Sequence, residues 1–365
     1  IHKNMKKKII FFCPSIEIGG VEKNLYKVVN FISKKNEEVY LFTFKNNNLK
    51  KKLSKNIKIV TSNFLGNINL PYFLKTILCI INYFIKFGFQ KNLILVSFQS
   101  NLYFILLGKL TKNRIIARSN AAPNYYISNK LKLKLFRIIY KLADKVIVNS
   151  KDFQKKFFNV FKVMPICIYN PSIIKSKIRK FRLSKSNKTL SFLNVGRLTN
   201  QKNQIIILKA LAEIKNINYK LVIVGDGSQE KNLKKYIFLN NLKSKVKIIN
   251  NISNAEKFYK KCDAFILSSK FEGLPNVLNE AQIKRKFIIS SNCPTGPNEI
   301  LMYGKAGYLF KNNNYKDLKD KIQKFILKKN SNEIIKKIKK GYKNLNRFDE
   351  EKNLNLYYKE IIKKP

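Results

Sequence analysis

Short apolar runs alternate with longer helical stretches along the chain, and this alternation constrains the fold more than any other feature. Short, mostly apolar runs are typical of strands that a parallel sheet buries on both faces. The helical stretches between them supply the crossovers that parallel strands need. The sequence therefore predicts an α/β protein. The predicted strands lie at 8–12, 39–44, 57–60, 93–97, 114–118 and 145–149, and again at 189–195, 219–224, 246–249, 264–267 and 287–290.

The alternation stops once, near residue 172, and then restarts. Residues 175–188 are rich in Lys, Arg and Ser and poor in large apolar side chains, as expected of a segment between domains. A chain of 365 residues is long enough for two domains. We therefore predict one domain over 1–172 and a second over 173–345. A last amphipathic helix is predicted at 348–362, and its pattern alone allows it to pack on either domain.

The chain is strongly basic. Its 74 Lys and Arg against 21 Asp and Glu give a formal net charge of +53, which attracts anions, anionic membranes or nucleic acid. Codon bias is an alternative source of the charge, since Lys, Asn and Ile are abundant in every part of the sequence. No recognised nucleic-acid motif is present, and Lys is spread rather than grouped with aromatic residues. We therefore expect no nucleic-acid partner.

Several familiar chemistries are excluded by residues that the sequence lacks. His2 is the only histidine and the five cysteines form no Cys-x-x-Cys pair, so we expect neither a zinc site nor a His-based catalytic triad. The turn Gly225-Asp226-Gly227 lacks the third glycine of a dinucleotide fingerprint. No Gly-x4-Gly-Lys-Ser/Thr loop occurs, which excludes a P-loop nucleotidase.

Residues 70–89 allow two interpretations. Their central stretch, 76–85, carries no charge and has Lys and aromatic residues on both sides. Such a helix can lie in a membrane interface, or it can face the core of the first domain. No run reaches eighteen apolar residues and no secretory signal is evident, so we predict no membrane span. We expect a cytoplasmic location, with peripheral contact at the inner face of an anionic plasma membrane.

Residues 271–280, Phe-Glu-Gly-Leu-Pro-Asn-Val-Leu-Asn-Glu, are the strongest candidate for a functional site. Gly273 and Pro275 end the preceding strand, and Pro275 suits the first position of a new helix. Backbone N–H groups at a helix start attract phosphate. Glu272 lies in the turn, and Glu280 follows about two helical turns later on roughly the same side. Two carboxylates there suit hydrogen bonds from sugar or ribose hydroxyls.

A second candidate follows the first strand of the second domain. Arg197 and Lys202 lie in Gly-Arg-Leu-Thr-Asn-Gln-Lys-Asn, which begins at Gly196. Two cations at such a turn can clamp a diphosphate, although chance alone places two cations in many loops of so basic a chain. Gly19 and Gly20 follow the first strand of the chain, where glycines let backbone approach a ligand. An ordinary tight turn is the alternative for this pair.

The Glu-x7-Glu pattern headed by Phe-Glu-Gly-Leu-Pro-Asn resembles the signature of the retaining glycosyltransferases of family 4. The stretch from Gly196 to Lys202 is similar to the phosphate-binding motif of that family, and the resemblance is strongest over 192–309. It implies the GT-B fold, an α/β architecture of two Rossmann-like parallel-sheet domains facing a cleft. It also implies that the C-terminal helix, within 346–365, crosses back to the first domain, and that the donor binds mainly the second domain.

The resemblance also implies roles for individual residues. Arg197 and Lys202 would hold the diphosphate, and Glu272 would bind hydroxyls of the donor sugar; these three are the candidate catalytic residues. Glu280 would bind the ribose. The other donor-binding residues that it implies are Gly19, Gly20, Gly196, Gly273, Leu274, Pro275, Asn276 and Val277.

The implied reaction moves a hexosyl or N-acetylhexosaminyl group from a nucleoside-diphosphate sugar to a glycan or lipid-linked glycan, with retention, in cell-envelope polysaccharide or lipopolysaccharide biosynthesis. Fixed cations and a helix N-terminus can neutralise the leaving diphosphate, so no metal or other cofactor is expected. Arg118 and Asn120 lie at the end of a strand of the first domain and are candidates for the acceptor side. The competing hypothesis is a basic membrane- or nucleic-acid-binding protein on a degenerate transferase fold.

Overall fold

The chain forms two compact units, each built on one parallel sheet. The first unit is Ile1–Pro171 together with Glu350–Pro365, and the second is Ser172–Asp349. The returning segment therefore begins at Glu350 rather than at 346, because Asn344–Phe348 form a 3-10 helix that packs within the second unit. The structure is a computed structural model that describes residues 6–16, 20–35, 37–45, 49–62, 70–120, 129–173, 189–252 and 254–363.

The sheet of the first unit has seven strands in the described residues, all parallel. The last strand has only two half-buried residues, so it gave no apolar run to detect in the sequence. In chain order the strands are β1 (Lys8–Phe12), β2 (Glu38–Phe42), β3 (Lys58–Val60), β4 (Leu93–Ser97), β5 (Arg114–Arg118), β6 (Lys145–Val148) and β7 (Ile166–Cys167). Across the sheet their order is β3-β2-β1-β4-β5-β6-β7.

Helices cover both faces of this sheet. On one face α1 (Gly20–Ser33) packs beside α13 (Glu350–Ile362), which adds Tyr357 and Ile361 to the buried core of the first unit. The last helix thus packs on the first sheet, because its apolar stripe matches that face. The helices of the other face are α2 (Tyr72–Phe87), α3 (Asn101–Leu110), α4 (Lys130–Lys141) and α5 (Lys151–Phe161).

Helix α2 decides between the two interpretations of residues 70–89 only in part. Cys79 and Tyr83 are fully buried in the core of the first unit, so one side of the helix faces that core. Ile81 and Ile85 lie on the opposite side and are exposed. Among the described residues, no helix combines the length and apolar character needed to cross a membrane.

The second unit repeats the same winding with six parallel strands in its described part, ordered β10-β9-β8-β11-β12-β13. Its strands are β8 (Leu190–Val195), β9 (Tyr219–Val224), β10 (Val246–Ile249), β11 (Ala264–Leu267), β12 (Phe287–Ser291) and the short β13 (Tyr308–Phe310), which the sequence did not predict. Its helices are α6 (Ile205–Ala212), α7 (Glu230–Leu239), α8 (Glu256–Lys261), α9 (Asn276–Ile283), α10 (Pro297–Ile300), α11 (Tyr315–Lys328) and α12 (Asn332–Lys343).

Candidate active site

The residues predicted to bind a donor follow two neighbouring strands of the second sheet. Arg197 and Lys202 come after β8, and Glu272 comes after β11. These two strands are paired side by side, and the strand order of the sheet reverses between them. In open α/β sheets, ligands bind beyond the carboxyl ends of the strands at such a reversal. The winding of the second unit therefore brings the two predicted motifs to the expected edge.

Lys202 and Glu272 form an ion pair at this edge. Lys202 Nζ lies 2.6 Å from Glu272 Oε1, and the Ser269 hydroxyl donates to the same oxygen at 2.6 Å. The Glu272 side chain is only 7% exposed and that of Lys202 17%, so both groups are held in place and largely desolvated. The backbone of Lys202 is fixed as well, since the Ser268 hydroxyl donates to its carbonyl at 2.8 Å. Sequence reasoning missed both serines, because serine is common at strand ends.

Glycines allow the loops of the site to touch backbone to backbone. Gly225 has φ +152°, and a Cβ there would overlap the carbonyl oxygen of Gly196. A Cβ on Gly227, also at φ +152°, would overlap the carbonyl of Leu198. The glycines of the Gly-Asp-Gly turn thus bring the loop after β9 against the loop that carries Arg197. A side chain at either glycine would push the two loops apart.

The loop that carries Arg197 has a fixed backbone. Leu198 N donates to the Asp226 carbonyl at 2.7 Å, and the Gln204 side chain donates to the Arg197 carbonyl at 3.0 Å. The Arg197 side chain itself is exposed. Gly196, at the start of this loop, contacts the aliphatic part of Lys202: a Cβ there would lie 3.6 Å from Lys202 Cδ. The loop thus presents one exposed and one half-buried cation at the same sheet edge.

Helix α9 begins at Asn276, one residue later than predicted. Pro275 precedes the helix with extended backbone (φ −72°, ψ 106°), and Leu278 N donates to its carbonyl at 3.1 Å. The first N–H groups of a helix point out of its N-terminus, and here those of Asn276 and Val277 belong to the first turn. Because Glu272 lies ahead of the helix, the helical repeat does not relate it to Glu280, contrary to the expectation from their spacing.

Glu280 has neighbours of its own. The Tyr259 hydroxyl donates to Glu280 Oε2 at 3.0 Å and lies 3.3 Å from the Val277 carbonyl, while the Tyr259 ring stacks on Phe265. Burial, with the nearby Glu280 carboxylate adding to it, raises the pKa of Tyr259 well above its ordinary value. The hydroxyl therefore remains a proton donor to Glu280 at neutral pH. Nothing in the sequence around Tyr259 signals this contact.

The loop before α10 contacts the backbone of Glu272 and Gly273. Thr295, which has φ +66°, donates its hydroxyl to the Glu272 carbonyl, and a Cβ on Gly296 would overlap the carbonyl of Gly273. Burial, with Glu272 as the next contribution, raises the pKa of the Cys293 thiol to about 12, so this cysteine is no thiolate nucleophile at neutral pH.

Helix α10 begins at Pro297 with Gly296 as its N-cap residue, and Asn298 and Glu299 lie within it. Glu299 accepts from Arg347: the two side chains lie 3.6 Å apart, and Arg347 Nη2 donates to the Glu299 carbonyl at 2.6 Å. The contact ties the loop of the site to the 3-10 helix at the end of the second unit.

The predicted residues of the first unit are placed differently. Arg118 is 1% exposed, and its guanidinium donates to Tyr357 at 2.7 Å, to Asn170 at 2.8 Å and to Asn120. Its contacts therefore hold β5 against α13, and the acceptor role of Arg118 and Asn120 stays a prediction. Gly20 is exposed at the start of α1, whereas Gly19 and the segment 174–188 lie outside the described residues.

His, Cys, Asp and Glu side chains form no group of three or more that could hold a metal ion, as far as the described ranges extend. The expectation that no metal is needed stays a prediction.

Sequence comparison gives a match within the second unit. Residues 175–342 match the family described as Glycosyl transferases group 1. The chain is 30% identical to the amylovoran biosynthesis glycosyltransferase AmsD of Erwinia amylovora over 54% of its own length and 57% of the length of AmsD. It spans less than two thirds of the length of the relatives to which it is 30 or 31% identical.

A longer alignment links the chain to a Campylobacter jejuni alpha-1,4-N-acetyl-D-galactosaminyltransferase whose name includes a glycan joined to PP-undecaprenol. The two are 28% identical over 83% of this chain and 84% of that one. Among solved structures, Anabaena HepE in complex with UDP superposes with a TM-score of 0.76 at 17% identity, covering 97% of this chain and 99% of HepE. This similarity confirms the predicted GT-B fold, with two Rossmann-like parallel-sheet domains.

Proposed function

We propose that this chain is a glycosyltransferase that moves a hexosyl or N-acetylhexosaminyl group from a nucleoside-diphosphate sugar to a glycan or lipid-linked glycan, with retention of configuration. The observation that carries the proposal is the ion pair of the half-buried Lys202 with the buried Glu272, at the point where the strand order of the second sheet reverses. The pair lies between the exposed Arg197 loop and the start of α9. It offers a cation for phosphate and a carboxylate for hydroxyls within one site.

The proposed chemistry follows from these charges. A diphosphate oxygen would compete with Glu272 for Lys202 Nζ, while Glu272 would turn to accept hydrogen bonds from sugar hydroxyls. Arg197 and the N–H groups of Asn276 and Val277 would add positive potential where the leaving diphosphate gains charge. The leaving phosphate would accept the proton of the attacking hydroxyl. In this mechanism neither a protein base nor a metal ion is required.

The names of the relatives support a biological setting. AmsD is named for amylovoran biosynthesis, the Campylobacter enzyme for a glycan on PP-undecaprenol, and HepE was crystallised with UDP. By extension, we propose that the chain acts in cell-envelope polysaccharide biosynthesis on the cytoplasmic side, with a lipid-linked acceptor. A uridine-diphosphate sugar is the first donor to test. Lipopolysaccharide is one such product class.

The experiment that tests the proposal compares thermal shifts of the full chain with UDP, GDP, ADP and CMP. A ligand that binds only the folded state raises the melting temperature. We expect one nucleoside diphosphate to stabilise the protein well beyond the others, and Lys202→Ala to abolish that shift. Lys270→Ala is the matched control, since Lys270 is an exposed cation three residues after β11. Equal shifts from all nucleotides that fade with salt would instead indicate a nonspecific basic binding protein.

Measurements of turnover test retention and the metal-free mechanism separately. With the donor so identified, nuclear magnetic resonance of the product should show the anomeric configuration of the donor, and chelation with EDTA should leave the rate unchanged. A product of inverted configuration would contradict retention but not the transferase activity. A rate that falls on chelation and returns with a divalent cation would remove the metal-free mechanism.

A further inference from the structure

Helix α2 carries two apolar stripes where its packing requires one. Cys79 and Tyr83, four residues apart, form the buried stripe. Ile81 and Ile85 have the same spacing on the opposite side, and Ile85 is 78% exposed. A surface helix of a water-soluble domain normally places polar residues on its outer side. The outer stripe of α2 therefore has no explanation in the packing of the first unit.

The two following helices repeat this arrangement. On α3, Leu106 and Leu110 are exposed four residues apart, and on α4 Leu131 and Leu135 are exposed with the same spacing, Leu131 to 81%. The opposite sides of both helices pack in the same core as α2, with Phe136 among the buried residues of α4. Each helix is thus apolar towards the sheet and apolar away from it.

The three outer stripes lie on one continuous side of the first unit. Helices α2, α3 and α4 all pack on the same face of the sheet, α2 beside α3 and α3 beside α4. The rings of Phe73 and Tyr103 lie 6.0 Å apart, joining the exposed sides of α2 and α3. We call this side the outward surface, and its central residues are Ile81, Ile85, Leu106, Leu110, Leu131 and Leu135. Contiguous exposed apolar residues of this kind mark an interaction surface.

The charge on this surface has a single sign. Residues 39–143 include 18 Lys and Arg and not one Asp or Glu, although the chain has 21 acidic residues elsewhere. The exposed lysines of α2, α3, α4 and their ends include Lys86, Lys109, Lys130 and Lys141. The next acidic residue, Asp144, has one carboxylate oxygen 3.9 Å from Lys109 Nζ. The outward surface is therefore apolar, cationic and free of acidic side chains over three helices.

We propose that the outward surface docks on an anionic lipid bilayer. Leucine and isoleucine side chains would enter the boundary between headgroups and acyl chains, and the lysines beside them would contact anionic headgroups. A second copy of the chain fits less well, because it would bring the same cations against themselves. Nucleic acid would engage the lysines but leave the outer apolar stripes in water. The inference rests on the surface of the first unit alone, not on the proposed function.

A single tryptophan can report the contact directly, because the chain has none. We expect Ile85→Trp to shift its emission to shorter wavelength when vesicles containing phosphatidylglycerol are added, and brominated acyl chains to quench it. Leu239→Trp is the matched reporter on the second unit, at an exposed apolar position at the end of α7. Its emission should not change. A response equal at both positions, or absent at both, overturns the proposal.

Vesicle flotation of the full chain then tests whether the apolar stripes carry the binding. The outward variant combines Ile85→Glu, Leu110→Glu and Leu135→Glu. Its control combines Phe238→Glu, Leu239→Glu and Leu327→Glu, three exposed apolar positions of the second unit with the same change in net charge. At physiological salt we expect the outward variant to lose at least about tenfold in partitioning, since lost apolar burial adds to lost attraction, and the control to stay near wild type.

Other results would contradict the bilayer as the partner of the outward surface. Equal loss in both triple variants would show that net charge alone drives binding and would overturn the docking surface. A wild-type dimer that the outward variant converts to a monomer, without vesicle binding by either, would assign the surface to a second copy and overturn the bilayer. Melting curves and the nucleotide thermal shift check the fold of both variants. The nucleotide shift is a separate readout, so it can fail while vesicle binding persists, and the reverse.

Discussion

The loops of the candidate site in the second unit and the outward surface of the first unit are built in opposite ways. In the loops, side chains and backbone are in contact on several sides: Glu272 accepts from both Lys202 and Ser269, and Gly225 lies against the carbonyl of Gly196. On the outward surface, side chains such as Ile85 project into solvent. Both regions carry residues that the packing of a parallel sheet does not itself demand.

Because of this difference, the two regions should respond differently to substitution. A change in the loops removes internal contacts, so it should lower the free energy of unfolding, ligand binding or both. A change on the outward surface removes no internal contact, so stability should hold while surface binding is lost.

Gly225→Ala should cause the largest loss of stability. Its φ of +152° is strained for alanine, and the added Cβ would overlap the carbonyl oxygen of Gly196. We expect the free energy of unfolding to fall by about 3 kcal/mol or more, from backbone strain and displacement together. Gly304→Ala is the control: Gly304 also has positive φ (+86°), but a Cβ there meets nothing within 4 Å. Chemical denaturation measures both, and equal losses would show that the close approach of the two loops is unimportant.

Glu272→Gln should separate function from stability within the loops. The amide keeps an oxygen to accept from Ser269 but loses the charge opposite Lys202. We expect turnover to fall about 100-fold, because a charged hydrogen-bond acceptor for the sugar is lost, and stability to change by about 1 kcal/mol or less. Glu256→Gln serves as the control, since Glu256 pairs with Lys284 on the surface. A transferase rate near wild type in Glu272→Gln would contradict the assigned role.

Tyr259→Phe should have a smaller effect that depends on pH. Removing the hydroxyl leaves Glu280 without this donor, so we expect nucleotide affinity and the free energy of unfolding each to fall by about 1 kcal/mol. Because the pKa of Tyr259 is raised on folding, the folded chain binds more protons above the unfolded pKa of about 10. The stability of the wild type therefore declines as pH rises there, and the variant lacks that part of the decline.

Denaturation of wild type and Tyr259→Phe from neutral to alkaline pH measures this difference. The difference in unfolding free energy between wild type and variant, called the gap, should be widest at neutral pH. It should narrow above the pKa that tyrosine has in the unfolded chain. A gap that widens with pH would contradict the assignment of the shift to Tyr259.

The fold could be predicted from the sequence because burial on both faces of a parallel sheet leaves a local signal. The runs at β8 and β11 are apolar and short, and glycine or proline ends each of them nearby. The strands β7 and β13, of two and three residues, were not predicted. Their places in the sheets depend on neighbouring strands that are distant in sequence.

The candidate site was predictable only where a motif carried it. Lys202 and Glu272 were singled out by the spacing of their motifs, and the structure brings them together. The contact of Tyr259 with Glu280 joins residues 21 apart through the packing of α8 on α9, which no local pattern encodes. Helical spacing wrongly related Glu272 to Glu280, because the helix begins only at Asn276. Contacts set by tertiary packing thus leave no local pattern in the sequence.

Substitutions on the outer side of α2 should change the free energy of unfolding least. Ile85→Ser should change the free energy of unfolding by no more than about 0.5 kcal/mol, because the side chain is 78% exposed. Cys79→Ser, on the buried side of the same helix, should cost about 1–3 kcal/mol by placing a hydroxyl in an apolar core. Chemical denaturation of the two variants measures both faces of one helix. A large loss in Ile85→Ser would mean that the outer stripe stabilises the first unit itself, and its exposure would then no longer indicate a docking surface.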